Sequence, residues 1–413
     1  MPTRRQTADD ACPGALRLHA AADGPLARVR LPGGMLTGRQ LRVLADVAEQ
    51  HGDGALELTS RANIQLRALR ADPSELADRL AGAGLLPSLA HETVRNISAP
   101  PLADVQTRGL VEALDRGLCA DDALAALPGR FLFAVGRTPL AADVAAIRAG
   151  DEWAVLLGGS DVGVRVPTGR VVGTMLGAAR GFLAERGGRE PRPWRLREIP
   201  GGPELIAARL AGARPEAELG AARPPATQPT AEPGAARMPG TQPTAELSLR
   251  EPGAEPLVGK LPQPGSEQAA VGTLVPLGRL TGVQLEVLAQ AERLAVAPWG
   301  GVVVLDLAPE AADRWVVALR DAGLVTEGDS KWVGVTTCAG RPGCGKALAD
   351  VRADAEAAAR FVVGRPVHWV GCERGCGSPA AAHVRVEATG VGYLVDGEPV
   401  EGDLGEVVAA RRA

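Results

Sequence analysis

The chain has 413 residues, 46% of them hydrophobic and 23% charged, with a net charge of −4 at pH 7. That length admits several domains with their own cores, and the composition excludes a disordered or fibrous chain and a small stapled scaffold. The weak negative charge gives no electrostatic case for a nucleic-acid partner, and no apolar window reaches the length of a membrane span.

In chain order, the opening MPTRRQTADDACPG lacks an apolar run of signal-peptide length, so the expectation is a cytoplasmic protein whose six cysteines stay reduced and serve metal rather than disulfides. Residues 24–86 and 272–325 then resemble each other, sharing LTGxQLxVLA. In each copy a short strand, around Leu26–Leu31 and Gly272–Leu277, leads to a threonine followed three residues later by glutamine. Thr37 with Gln40, and Thr281 with Gln284, fit the capping box of a helix start. Leu41, Leu44, Val47 and Ala48 recur at helical spacing and predict one buried face. Strands follow at Ala55–Thr59, Ile64–Leu66 and Gly301–Leu307, then a second amphipathic helix ending near Gly84 or Gly323. Chance likeness of Leu/Ala-rich helices is the bland alternative, but the shared cap, order and Ala-Gly-Leu ending favour a duplication.

Each copy precedes a larger α/β block, giving the order A–B–A′–B′. The expected boundaries are 12–87 and 269–330 for two ferredoxin-like half-domains, and 88–200 and 331–413 for two α/β domains. Residues 201–268, rich in Pro, Ala and Gly and repeating TQPTAE, read as a disordered linker.

Four cysteines lie in the last block, as C-x5-C (Cys338, Cys344) and C-x3-C (Cys372, Cys376). Four thiolates are what a [4Fe–4S] cluster requires, whereas structural zinc favours shorter gaps and fits poorly; zinc or unligated thiols are the alternatives. A helix is expected over Lys346–Phe361, its positive end beside Cys344. Cys12 and Cys119 stand alone and are read as inert. TSRANIQL places Arg61, Asn63 and Gln65 at alternate positions, sharing a face if the segment is extended. HETVRNIS adds Arg95 and Asn96, and PGRF adds Arg130. Converging arginines would suit a polycarboxylate, although each taken alone reads more readily as a solvated surface residue. Of the five histidines, His91 beside Glu92 is a conceivable metal ligand and His368 a packing residue near the cysteines.

Together, the duplication, TSRANIQ, VRN, C-x5-C and VGC-x3-C resemble the siroheme and [4Fe–4S] sulfite/nitrite reductase family. The resemblance implies a duplicated α+β/α/β architecture with a pseudo-twofold. It also implies cluster ligation by Cys338, Cys344, Cys372 and Cys376, with Cys376 facing a tetrapyrrole, and an anionic ligand held by Arg61, Asn63, Gln65, Arg95 and Arg130. Two departures stand out: a family lysine falls on Leu132, and His383 stands where an acidic residue is usual. CPG at Cys12, ELTSRxNxQLR, TCxGxPGCxKALADxRADA and Pro379 are most similar to the precorrin-3B synthase branch of aerobic cobalamin synthesis. That resemblance implies an oxygen-dependent monooxygenase that converts precorrin-3A to precorrin-3B by C20 hydroxylation and lactone formation. It further implies a mononuclear non-haem iron, for which the sequence offers no ligand signature, and an external NADH-linked donor, a ferredoxin or a flavoprotein. A siroheme-dependent sulfite or nitrite reductase and a non-catalytic iron–sulfur electron carrier are the alternatives.

Overall fold

Thr37 and Thr281 cap their helices as the sequence predicts: in each, the threonine and the glutamine three residues on exchange side-chain bonds with the opposite backbone N–H. The computed structural model describes residues 12–137, 141–212, 257–379 and 381–413. The first half-domain contains β1 (His19–Ala21), β2 (Gly24–Val29), β3 (Met35–Leu36), α1 (Gly38–His51), β4 (Ala55–Leu58), β5 (Ile64–Leu66) and α2 (Pro73–Gly82). Next come β6 (Ile97–Ser98), α3 (Val105–Cys119), β7 (Phe133–Val135), β8 (Val144–Ala149), β9 (Glu152–Leu157), β10 (Arg165–Val166), α4 (Val171–Arg186) and α5 (Gly202–Gly212). The second half-domain is β11 (Gly259–Pro262), β12 (Ala269–Leu274), β13 (Arg279–Thr281), α6 (Gly282–Leu288), β14 (Arg293–Ala297), β15 (Gly301–Leu307) and α7 (Pro309–Asp321). The last block holds β16 (Val335–Thr337), α8 (Val351–Ala358), β17 (Val367–Val370), β18 (Val384–Ala388), β19 (Tyr393–Val395), β20 (Glu398–Pro399) and α9 (Leu404–Arg412).

The half-domains are interlocked. Their sheets run β1-β2-β5-β4-β13 and β11-β12-β15-β14-β3, so each donates the short strand before its helix to the edge of the other's sheet. The turns that launch those strands also match: Pro32–Gly34 and Pro276–Gly278 each form one 3-10 turn whose middle residue is left-handed, Gly33 at φ 65° and Leu277 at φ 52°. Leu41, Leu44, Val47 and Ala48 are buried in a single apolar core to which both halves contribute, Leu285, Leu288, Val302 and Val304 among them. A shared core and exchanged edges leave no separable half. The two α/β blocks repeat one plan, three parallel strands (β6-β7-β8; β16-β17-β18) continued by two antiparallel ones.

Three expectations need correction. The ends of the expected 201–268 linker are folded: α5 packs on α4 with Ile206 buried, and β11 pairs with β12. One buried isoleucine in an Ala/Gly-rich stretch is too faint a pattern to read, and residues 213–256 lie outside those described. The expected helix over Lys346–Phe361 is only α8, Val351–Ala358, capped by Asp350, so no helix start sits beside Cys344. Residues 345–349 instead bond to neighbouring loops, Leu348 N–H donating to the Gly371 carbonyl at 2.7 Å. Finally, TSRANIQ is not extended throughout. Ala62 has φ 56°, and Ala62 N–H donates to Thr59 in a tight turn, which puts Arg61 at a hairpin tip and breaks its alternation with Gln65. No described helix is long and apolar enough to cross a membrane.

Candidate metal centre and its cationic face

The cysteines occupy loops leaving the carboxyl ends of two adjacent parallel strands, where open α/β sheets place ligands. Cys338 follows β16, its N–H donating to the Trp369 carbonyl at 2.8 Å, while the Gly371 N–H after β17 donates to Cys338 Sγ at 3.2 Å. Gly371 has to be glycine, because a Cβ there would lie 2.6 Å from that of Ala347. Cys344 turns back on Gly340 through a 2.8 Å backbone bond, and Cys372 and Cys376 flank a turn at Gly375, φ 58°. Burial raises the Cys376 thiol above its ordinary value; Arg374 opposes this, and the charges of Cys338, Cys372 and Cys344 add to it. The two cysteine pairs lie on loops from adjacent strands, and none of the four is in a disulfide.

Among the described residues no three His, Cys, Asp or Glu side chains meet closely enough to hold a single metal ion. Four thiols in two pairs on neighbouring loops are a donor set of the type and number that a [4Fe–4S] cluster takes. The non-haem iron implied by resemblance finds no ligand set among the described residues, and no step is assigned to it. His91 is not a ligand: Ser88 Oγ lies 2.7 Å from one ring nitrogen and the Asp121 carbonyl 3.0 Å from the other. His368 packs behind the cysteines, with Thr336 Oγ1 at 2.8 Å and the Cys376 carbonyl at 3.0 Å, and burial lowers its pKa to about 4. A neutral ring thus donates to the Cys376 peptide.

Facing these loops is one side of the first sheet, and here the pseudo-twofold is broken. Cross-strand pairing sets Arg28, Gln65, Glu57 and Arg279 in one row; the equivalent row of the other sheet is Gly272, Val303, Ala295 and Met35. One face is polar and the other apolar, covered in part by Leu102 and Leu261. On the polar face, Arg28 donates to Gln65 Oε1 at 2.5 Å, and Arg352 of α8 donates to Glu57 Oε1 at 2.6 Å. The arginine just past the cysteine loop is thereby docked on the row.

Arg61 sits at the rim. Burial holds its guanidinium below the ordinary value; Arg195 and then Arg28 lower it further, against the opposing charges of Cys12 and Asp143. Its guanidinium donates to the Arg130 carbonyl at 3.4 Å, and Arg130 in turn lies over the Trp194 ring at 4.7 Å. Arg195 is oriented by Asp143 at 2.7 Å. Leu132 is buried among Ala134, Ala145, Ile147 and Leu156, so no cation stands at that position.

Of the five ligand-binding residues expected from sequence, Gln65 lies in this row and Arg61 at its rim, while Arg130 meets Arg61 through its backbone carbonyl and turns its guanidinium to Trp194. Asn63 instead accepts the Leu31 N–H at 2.9 Å, and Arg95 is spent on Asp115 (2.8 and 2.7 Å) and the Leu85 carbonyl. We expect Arg95→Ala to cost about 3 kcal/mol in a denaturant titration, since it strands a largely buried carboxylate; loss of ligand affinity at unchanged stability would contradict this placement. Missed from sequence were Arg28, legible as the partner of Arg30 in ARVR alternation, Arg67, continuing the Gln65 alternation, and Arg195, which carries no local signal. The CPG motif seats the amino-terminal segment: Glu92 accepts from the Ala15 and Leu16 N–H groups at 2.6 Å, and a Cβ on Gly14 would strike its carboxylate. Cys12, read as inert, lies near enough to Arg61 to act on its charge, whereas burial simply raises Cys119.

Residues 19–81 match the nitrite/sulfite reductase ferredoxin-like half domain. The structure aligns with that of the NirA protein of Mycobacterium tuberculosis at a TM-score of 0.66 and 19% identity, over 88% of this chain and 71% of that one, a likeness of fold. Over its first half-domain the chain is thus similar to nitrite and sulfite reductases. The chain is similar to the precorrin-3B synthase of Sinorhizobium sp, 27% identical over 94% of this chain and 83% of that protein. It is also 28% identical to the ferredoxin–nitrite reductase of Synechococcus elongatus, over 91% of this chain and 78% of that protein.

Proposed function

We propose that the chain is an oxidoreductase acting on a free tetrapyrrole: an oxygen-dependent monooxygenase converting precorrin-3A to precorrin-3B. The observation that carries this reading is the broken symmetry, which leaves one polar, arginine-rimmed sheet face opposite the four cysteines and fills its counterpart with apolar side chains. Cys338, Cys344, Cys372 and Cys376 would hold a [4Fe–4S] cluster, which when bound supplies electrons singly from an external NADH-linked ferredoxin or flavoprotein. The protein's own part is positional. Arg61 and Arg28 offer charge to the acetates and propionates of the macrocycle, and Gln65 fixes the Arg28 fork. Overall, one oxygen atom of O2 enters the ring and the other leaves as water, with two electrons and two protons consumed.

The rival is a siroheme-dependent nitrite or sulfite reductase, favoured by the nitrite reductase relative and opposed by the apolar site of Leu132. One absorption spectrum of protein purified without air separates them. We expect a broad brown shoulder, and product labelled from 18O2 on incubation with precorrin-3A and reductant. Stoichiometric Soret and red siroheme bands, with no label incorporated, would overturn the reading in favour of the reductase. A cluster alone, without label, would leave an electron carrier.

A further inference from the structure

Arg67 joins the polar sheet face to the cysteine loop. Its side chain is 6% exposed, gripped by Asp23 in a two-pronged pair at 2.8 and 3.0 Å with Glu57 at 3.7 Å. The remaining reach of the guanidinium crosses to the last block, where Nη2 donates to the Gly343 carbonyl at 2.6 Å. That carbonyl belongs to the peptide whose nitrogen is Cys344's. The approach is close: a Cβ on Gly343 would lie 2.9 Å from Arg67 Nη2, so a larger residue there would press on the guanidinium that Asp23 holds. Glu57, which neutralises Arg67 from behind, is the same carboxylate that receives Arg352 from beyond the loop. A buried guanidinium with a directed bond into a cysteine-bearing peptide therefore joins the polar sheet face to the cysteine loop.

We propose that Arg67 is a positioning residue for the metal centre, fixing the Cys344 peptide and, through its charge, favouring the reduced cluster. This rests on the four-cysteine reading and not on which tetrapyrrole is bound. A cation near a cluster stabilises the added electron, and hydrogen bonds and local charge set such potentials. The test is a redox titration of the purified holoprotein followed by electron paramagnetic resonance, alongside iron and sulfide analysis. Arg67→Gln should make the reduced cluster about tenfold less favoured, a fall of 59 mV for a one-electron couple. Arg67→Lys, which restores the charge, should recover much of that shift. Glu57→Gln, which keeps the shape of the row but removes the compensating charge, should move the potential upward. Should Arg67→Gln fail to hold the cluster, the upward shift in Glu57→Gln still decides the matter. Loaded variants with the wild-type potential would overturn the proposal alone, whereas a wild-type protein that binds no iron would overturn the four-cysteine reading and the proposal with it.

Discussion

Cys376→Ser should leave the protein folded but without most of its iron and acid-labile sulfide, and with the brown absorbance bleached or altered in form. The reason lies in the loop. Cys376 is the most exposed of the four thiols, carried by the Gly375 turn and anchored through its own carbonyl to His368. Removing its sulfur takes away a ligand without disturbing the backbone bonds that hold Cys338 to Trp369 and Gly371. Cys119→Ser is the control: that thiol lies at the end of α3, far in sequence from the metal loops, and its loss should leave iron content unchanged. Equal iron in wild type and Cys376→Ser, measured after anaerobic reconstitution, would remove Cys376 from the ligand set.

Arg61→Ala should weaken tetrapyrrole binding by roughly tenfold to a hundredfold, the worth of a charge-assisted bond of about 1.5–3 kcal/mol. Iron content should not change, because Arg61 touches no cysteine loop. The substitution should also cost little stability. Arg61 is half-buried and its guanidinium makes one long bond, to the Arg130 carbonyl at 3.4 Å, while burial and then Arg195 hold it below its ordinary value, so little folding stability rests on its charge. A melting temperature at or above that of the wild type, with affinity lost in a titration monitored by tetrapyrrole absorbance, is the expected pair of results. Unchanged affinity would show that the carboxylates lie elsewhere.

Local chemistry was legible wherever it is local in space. The capping boxes at Thr37 and Thr281, the buried stripe from Leu41 to Ala48 and the strand Gly301–Leu307 follow from side chains acting on neighbours within a few residues. Roles that depend on distant partners were not. Arg95 and Arg61 look alike in sequence, each a basic residue in a loop beside an asparagine-bearing motif, yet Asp115 neutralises one and Arg195 repels the other. Twenty positions separate Arg95 from its partner and more than a hundred separate Arg61 from Arg195. Nor could spacing reveal that Ala62 turns left-handed and takes Arg61 out of register with Gln65.

The duplication, the capped helices and four cysteines of the type an iron–sulfur cluster takes can be read from the chain alone, since repeat, cap and ligand type are properties of short segments. Which of two matching sheet faces could be a site emerges on folding. The two halves share their helix starts and their 3-10 turns, but cross-strand pairing aligns Arg28, Gln65 and Glu57 into one polar row while its counterpart fills with Gly272, Val303 and Ala295. A row across a sheet is assembled from strands far apart in the chain, and the exchange of β3 and β13 sets its last member from the other half. Through Arg67 and Arg352 that same row reaches the cysteine loops, a juxtaposition made by side chains separated by nearly three hundred residues.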